Sequence, residues 1–370
     1  MQLVTLHSAT PSRNNPTDTD RTDTMLWLGA LSLATAVRGQ AFSFTMLRFG
    51  CSEVVIDRID PLVDPGQVPS PHLHQVVGGN AFNASMPYED ISGIASCTTC
   101  TFDQDFSNYW TANLYFKARN GSYHRVPQIA NEVIGDANGG ITVYYTAPGP
   151  NTVTAFKPGF RMLSGDTNSR ESKGEGKNMQ SCFRCYDGPN FAGNIYSPCF
   201  DPVRDTEGLP SKPCLGGIRS SVIFPICWDG KNLDSPNHKD HVAHPVDGPA
   251  SFALVDGQCP ESHPVKIPQV HYEIVWDTTQ FNDASQWPED GSQPFVLSNG
   301  DNTGFGQHGD YLFGWKDDSL QHAMDNKCFG PRCQGLTTQT FPVANECSVK
   351  PMVSEQVDGW IDYLPGQAPA

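Results

Sequence analysis

Twelve cysteines constrain what this chain can fold into more than any other feature of its sequence. An even number of cysteines is typical of proteins in oxidising compartments, and it predicts six disulfides. The pairing itself stays open, because twelve thiols can pair in on the order of ten thousand ways. Two CxxC pairs, Cys97/Cys100 and Cys182/Cys185, are much further apart than the roughly 15–20 residues that separate the pairs of a zinc ribbon. We therefore predict a disulfide-stapled domain rather than a zinc ribbon.

The composition favours short strands joined by loops. The chain contains 34 Gly and 30 Pro, and only 17% of its residues are charged. Turn-forming residues in these numbers are typical of β-strands connected by loops, and the shortage of charge disfavours long helices. The predicted fold class is mostly β: a disulfide-rich β-sandwich or jelly roll with long loops and few short helices.

Three local patterns predict individual elements. Residues 114–118 and 122–126 flank an Asn120-Gly121 reversal, which predicts a β-hairpin. Residues 269–277 alternate apolar and polar side chains, so one face of this strand is core and the other is either solvent or the floor of a cleft. Residues 318–325 predict a short helix capped by Asp318 or Ser319.

The N-terminal region reads as a targeting segment. Residues 25–37 form an apolar run that ends in small residues, which is typical of a signal peptide and too short to span a bilayer. We expect a signal peptide over residues 25–39, preceded at 1–24 by a disordered extension or, if translation begins at Met25, by a gene-model artefact. A single β-rich domain is predicted over 44–347, followed by a C-terminal tail over 348–370.

Charge and sequons limit the partners and the location. The formal net charge of −16 argues against a nucleic-acid partner, because phosphate binding needs a basic surface. No stretch reaches the ~18 consecutive apolar residues of a transmembrane helix, so we expect no membrane partner. Two glycosylation sequons begin at Asn83 and Asn120, in agreement with secretion to the extracellular space.

The segment CWDGKNLDSPNHKDHVAHP, residues 227–245, is the most polar candidate site. It is nearly free of apolar residues, so core burial does not explain its composition, and Cys227 is expected to anchor it. We predict a pinned loop that presents His238, His241 and Asp229 or Asp234 to a cleft. A helical turn started by Ser235-Pro236 would place the two histidines on one face.

Two other stretches carry histidines with site-like spacing. His72 and His74 flank Leu73, so on a strand both rings project from one face. His308 and Asp310 flank Gly309 in a Gly-rich loop and are expected to face one site. Solvated or hydrogen-bonded histidines are the alternative for each pair.

Four long stretches together resemble one family. They cover residues 51–83, 97–112, 224–245 and 287–325, from CSEVVIDRIDPLVDPG to GDYLFGWKDDSLQHAMD. The resemblance is to the fungal secreted domain-of-unknown-function family nineteen-ninety-six, often found ahead of WSC modules, and it runs from about residue 44 to 347. It implies a secreted, disulfide-rich, β-rich domain and no settled catalytic assignment. Trp228, Asp229, His238 and His241 match the family's pattern, whereas His244 stands where an aromatic residue is expected.

Three functional hypotheses remain open. The first is a protein that acts on or binds cell-wall polysaccharide. As an enzyme it would use hydrolase or lyase chemistry without a cofactor. Its predicted catalytic residues are Asp229, His238, His241, Glu273, His308 and Asp310, and its predicted binding residues are His72, His74, Trp228, Gln269 and His271. The second is a secreted protein whose histidines converge on copper or zinc. The third is a non-enzymatic cell-wall protein whose histidines and aspartates hydrogen-bond the loops.

Overall fold

Alternating apolar residues and closely spaced turns produce an almost entirely β structure. The computed structural model describes residues 44–129, 138–147, 152–172, 179–249 and 257–367. The predicted signal peptide and N-terminal extension lie outside these residues, and so does part of residues 165–180, a polar stretch rich in Gly and Ser. The described residues all belong to one compact unit, Phe42–Ala370.

The described residues form short strands and two short helices. The first ten strands are β1 Thr45–Cys51, β2 Glu53–Asp57, β3 His74–Gly78, β4 Asn108–Ala112, β5 Leu114–Lys117, β6 Tyr123–Arg125, β7 Gln128–Ile129, β8 Ile141–Ala147, β9 Arg161–Gly165 and β10 Ser181–Cys185. The others are β11 Asp205–Thr206, β12 Ile218–Ile223, β13 Cys227–Trp228, β14 Val242–Ala243, β15 Val265–Lys266, β16 Gln269–Trp276, β17 Phe295–Leu297, β18 His308–Leu312, β19 Phe329–Gly330 and β20 Trp360–Ile361. The helices are α1 Ser319–Asp325 and α2 Phe341–Ala344.

Two larger sheets form the body of the fold. The eight-stranded sheet has the order β11-β10-β12-β16-β8-β1-β19, with β7 also paired to β16. The five-stranded sheet has the order β2-β3-β4-β18-β9 and is antiparallel throughout. Two smaller sheets have the orders β17-β5-β6-β20 and β14-β13-β15. The mostly β prediction is confirmed.

The two larger sheets pack face to face through a layer of tyrosines. The hydroxyl of Tyr145 on the eight-stranded sheet lies 2.8 Å from those of Tyr109 and Tyr311 on the five-stranded sheet. Tyr272 crosses the same layer and donates to the Asp310 carbonyl at 2.7 Å. These phenols are buried, so each hydroxyl needs a partner, and the partners they find bridge the sheets. This arrangement is a β-sandwich.

The predicted local elements form where the sequence placed them. β5 and β6 pair as an antiparallel hairpin, and Gly121 adopts φ +91° at its turn. Helix α1 begins directly after Asp318, although that residue makes no side-chain capping bond. In the described part of the chain, neither helix has the length and apolar character required to cross a bilayer.

All twelve cysteines are paired, which confirms the prediction of six disulfides. The bridges are Cys51–Cys100, Cys97–Cys347, Cys182–Cys199, Cys185–Cys214, Cys227–Cys259 and Cys328–Cys333. The two cysteines of each CxxC pair bond to different partners, so neither pair is available to hold zinc. Cys227 does anchor the polar segment 227–245, through Cys259.

A buried acid in the tyrosine layer makes stability depend on pH. Burial raises the pKa of Asp105 from 3.8 to about 7, although Tyr109 donates to its Oδ2 at 2.5 Å. Because the pKa of Asp105 is higher in the folded protein, the unfolded chain loses this proton at a lower pH. The contribution of Asp105 to the free energy of unfolding is therefore greatest below pH 3.8, and it falls as the pH rises to 7. We expect Asp105→Asn to gain stability relative to the wild type by up to about 1.4 kcal/mol per pH unit between pH 4 and 7. Urea unfolding at several pH values measures this, and parallel curves for the two proteins would contradict it.

Candidate metal centre

Three histidines converge on the five-stranded sheet. The Nε2 atoms of His72 and His308 lie 3.3 Å apart, and one ring nitrogen from each of His72, His74 and His308 falls within 4.8 Å of the others. His74 and His308 are fully buried, whereas His72 is half-buried. The predicted pairs His72/His74 and His308/Asp310 therefore meet in one cluster, which we call the three-histidine cluster.

The strand register brings these residues together. His74 opens β3 and pairs with Ala112 at the end of β4. On the other side of β4, Asp310 of β18 pairs with Trp110, so His308 falls opposite Ala112 as well. Cross-strand partners share a face, and two-residue alternation puts His308 and Asp310 on that face too. The methyl group of Ala112 occupies little space between the two imidazoles, so their rings can approach to 6.0 Å between centroids.

Main-chain carbonyls fix the orientation of the two buried rings. The Nδ1 of His74 lies 3.2 Å from the Ile59 carbonyl, and the Nδ1 of His308 lies 3.0 Å from the Gly306 carbonyl. A carbonyl only accepts, so each Nδ1 carries the proton and each Nε2 presents a lone pair to the cluster. Histidine ligands of metals are usually oriented in this way, with the other ring nitrogen donating to a carbonyl or carboxylate.

Two aspartates complete the cluster. Asp310 Oδ2 lies 3.7 Å from the Nε2 of His308, and Asp60 Oδ2 lies 3.9 Å from the Nε2 of His74. The other oxygen of Asp60 accepts from the Leu62 and Val63 amides at 3.0 Å, which aims Oδ2 at the cluster. Both carboxylates are buried.

Several nitrogen and oxygen atoms of the cluster lack a hydrogen-bond partner among the residues that the structure describes. Within the described residues, the Nε2 of His74 and both carboxyl oxygens of Asp310 are buried without any hydrogen-bond partner. Burial raises the pKa of Asp310 well above its usual range, and the nearby Asp60 raises it further. Burial also lowers the pKa of His74 to about 3, so this imidazole is neutral at physiological pH. Acceptors facing one another in this way are what a bound cation would satisfy.

A substitution of Asp310 tests whether this acid is a metal ligand or has a structural role. We expect Asp310→Asn to stabilise the metal-free protein by about 1–3 kcal/mol, because it removes a buried acid that has no partner. The same change should reduce the stabilisation produced by added zinc, since an amide is a weaker ligand than a carboxylate. Thermal unfolding with chelator and with zinc measures both effects. A variant that is destabilised with chelator and unchanged in its zinc response would show a structural role.

The polar segment 227–245 differs in structure from the predicted pinned loop with a helical turn. The two ring nitrogens of His241 bond the Arg161 carbonyl at 2.8 Å and the Ser235 hydroxyl at 2.9 Å. Asp229 accepts from the Lys231 and Asn232 amides, forming a local turn. His241 is buried and bonds strand β9, so it does not face an open cleft, whereas Asp229 is partly exposed. Trp228 is buried in the core and donates to the Asn232 carbonyl at 2.6 Å.

His238 lies in a turn rather than a helix. It adopts φ +58°, which a helical turn does not allow, so the predicted helical turn after Ser235-Pro236 is wrong. Its Nδ1 lies 2.7 Å from Asp234, and its carbonyl accepts from the Leu163 amide on β9. This bond fastens the segment to the edge of the five-stranded sheet. Burial raises the pKa of Asp60 and His238 offsets only part of that rise, but His238 is not among the three histidines of the cluster.

The polar face of β16 belongs to a separate, buried network. Gln269, His271 and Glu273 are all buried, so this face is neither solvent-exposed nor the floor of an open cleft. Glu273 pairs with Arg219 at 3.0 Å and accepts from the Tyr144 hydroxyl at 2.5 Å. Burial alone would raise the pKa of Glu273, but Arg219, Arg48 and the other groups around the carboxylate together outweigh it, so the pKa lies below its usual value. Glu273 and Asp310 stand on different sheets and do not form a carboxylate pair.

The match to known families decides the classification. A family described as a domain of unknown function, DUF1996, matches residues 60–315, more than half of the chain. The chain belongs to this family. No curated protein and no solved structure matches it. All five residues of the cluster (Asp60, His72, His74, His308 and Asp310) fall inside the matched part, so the candidate centre is part of the DUF1996 domain itself.

Asp60, a member of the candidate centre, and Ala112, which lies beside it, were missed from the sequence. Asp60 precedes a proline, and Asp-Pro is an ordinary turn signal, so nothing in the sequence set this acid apart. Ala112 contributes by its small size, and it ends a strand where an alanine attracts no notice. Asp60 lies only twelve residues before His72, on a loop that returns to the start of β3. This short spacing is the sequence feature that could have indicated it.

Proposed function

We propose that this DUF1996 protein is secreted, binds a divalent transition metal through His72, His74 and His308, and uses that centre on extracellular polysaccharide. The observation that carries the proposal is the set of facing acceptors: imidazole lone pairs and the unpartnered Asp310 carboxylate, buried together. Asp310 is the nearer carboxylate ligand, and Asp60 is oriented to assist.

The ligand set favours zinc or copper. Imidazole suits zinc, copper, iron and nickel, whereas an oxygen-only set suits calcium or magnesium. Two imidazole nitrogens bound to tetrahedral zinc at ~2.0–2.1 Å stand about 3.3–3.4 Å apart. The separation of 3.3 Å between the Nε2 atoms of His72 and His308 agrees with this value. It also suits one N–H···N hydrogen bond in the metal-free protein, so the two states require little rearrangement.

Such a centre supports hydrolytic chemistry. Three histidines and Asp310 would fill four positions on zinc, so hydrolysis would use a fifth position for water, whose pKa the metal would lower to about 7. His72, the half-buried member, marks the side from which solvent and substrate reach the cluster. The buried side is closed by Asp60, Asp310 and the core of the five-stranded sheet.

Secretion is supported by several independent features. Six disulfides are typical of an oxidising compartment. The sequon asparagines Asn83 and Asn120 are both exposed, as glycosylation requires. Polysaccharide is the most abundant polymer of a cell wall, and a secreted protein is exposed to it. This is the reason for the proposed substrate class.

Metal analysis tests the proposal first. Protein secreted from a eukaryotic host, dialysed against zinc or copper and then desalted, should retain about one equivalent of metal, and a chelator should remove it. The loaded and stripped proteins are then compared on cell-wall polysaccharides for released reducing ends and unsaturated products. Protein that retains no metal would overturn the proposal and favour a structural role for the histidines.

A further inference from the structure

A polar groove lies between the β5–β6 hairpin and the residues around β17. The groove has a volume of about 800 Å³, within the range of small-molecule sites. It is bounded by the β5–β6 hairpin, the loop that leads into β17, and the C-terminal segment. The side chains that matter below are Lys117, Arg119, Tyr123, Glu289, Asn302 and Gln367.

Packing and register connect this groove to the cluster. Val296 and Leu364, which line the groove, pack in one apolar group with Leu73, the residue between His72 and His74. Ser298, the residue after β17, donates to the Leu73 carbonyl at 2.5 Å and so holds the turn after β17 against Leu73. Val296 pairs with Tyr115 of β5, the strand that follows β4 and Ala112 after the single residue Asn113. The groove therefore adjoins the segment of chain that carries His72 and His74.

The lining suits an uncharged ligand rich in hydroxyl groups. The charges of Lys117 and Arg119 are balanced by those of Glu289 and Asp290, and Arg119 lies 3.9 Å from Glu289. Among the described groups, the amides of Asn302 and Gln367 have no hydrogen-bond partner, and both are exposed. Amides both donate and accept, as sugar hydroxyls do, and the partly exposed ring of Tyr123 offers an apolar face.

We propose that this groove binds a neutral oligosaccharide chain and is the substrate groove of the three-histidine centre. The inference rests on the proposed function, because it names the substrate class of the same site. A polyanionic chain is disfavoured by the net charge of −16 and by the carboxylates of the rim.

Paired substitutions of exposed amides test the inference. The double variant Asn302→Ala/Gln367→Ala removes two groove amides, and Gln258→Ala/Gln280→Ala removes two exposed amides outside it. Binding of neutral hexasaccharides from β-1,3-glucan, chitin and xylan is measured by calorimetry, and zinc content is measured on the same samples. We expect the groove variant to lose about tenfold or more in affinity for the hexasaccharide that binds, and the control variant to match the wild type.

The outcomes separate this inference from the proposed function. Equal affinity for all three proteins, or no binding of any hexasaccharide by zinc-loaded protein, would overturn the groove and leave the metal site standing. Loss of affinity in the groove variant with unchanged zinc content supports the groove. The same loss in protein that never retains zinc would support the groove and remove the metal centre.

Discussion

The His72→Ala and His308→Gln variants are expected to bind zinc or copper more than about a hundredfold more weakly than the wild type. Changes to groups that only orient a ligand already cost 10–100-fold in metal affinity, and a lost ligand costs more. His72 is the better test, because it is half-buried and its ring hydrogen-bonds that of His308. Competition with a chromophoric chelator measures the affinities.

An exposed histidine on helix α1 provides the control. His322→Gln changes an imidazole outside the three-histidine cluster and should leave metal affinity unchanged. Unfolding curves recorded with excess chelator show whether each variant is folded without metal. Equal metal affinities for His72→Ala, His322→Gln and the wild type would mean that any bound metal lies elsewhere.

Replacing Cys97 and Cys347 together by serine is expected to lower the free energy of unfolding by about 5 kcal/mol. This disulfide closes a loop of 250 residues, and the chain-entropy estimate for a loop of that length gives about 5 kcal/mol. The bridge ties the C-terminal part of the chain to the loop before β4, so its loss releases the longest closed segment of the protein. Urea unfolding under non-reducing conditions measures the difference.

The bridge between Cys328 and Cys333 is the matched control. It spans only five residues of sequence separation, for which the same estimate gives about 2 kcal/mol. The double serine variant at these positions should therefore lose less than half as much stability. Equal losses in the two variants would mean that local packing around each bridge, rather than loop closure, sets its contribution.

Local sequence patterns predicted the elements that depend on near neighbours. The Asn120-Gly121 reversal predicted the β5–β6 hairpin, and the alternation around Gly309 placed His308 and Asp310 on one face. Both follow from the two-residue period of a strand. The even cysteine count predicted full pairing. It did not predict the partners, because these depend on tertiary contacts such as that of Cys97 with Cys347.

The predictions failed where tertiary contacts decide which groups a side chain meets. His241 and Asp229 had the composition of a site, but the β9 strand and the loop itself satisfy them. Asp60 had an ordinary turn context, yet the fold directs its free oxygen at His74. The polar face of β16 alternates as a cleft floor would, and burial with Arg219 turns it into an ion-pair network.

X-ray absorption at the zinc or copper edge of the loaded protein tests the central claim most directly. The three-histidine centre predicts about one metal per chain, with imidazole nitrogens at ~2.0–2.1 Å, and it predicts a lower nitrogen count in His72→Ala. Protein that takes up no metal, or a spectrum that is the same in His72→Ala and the wild type, would contradict it.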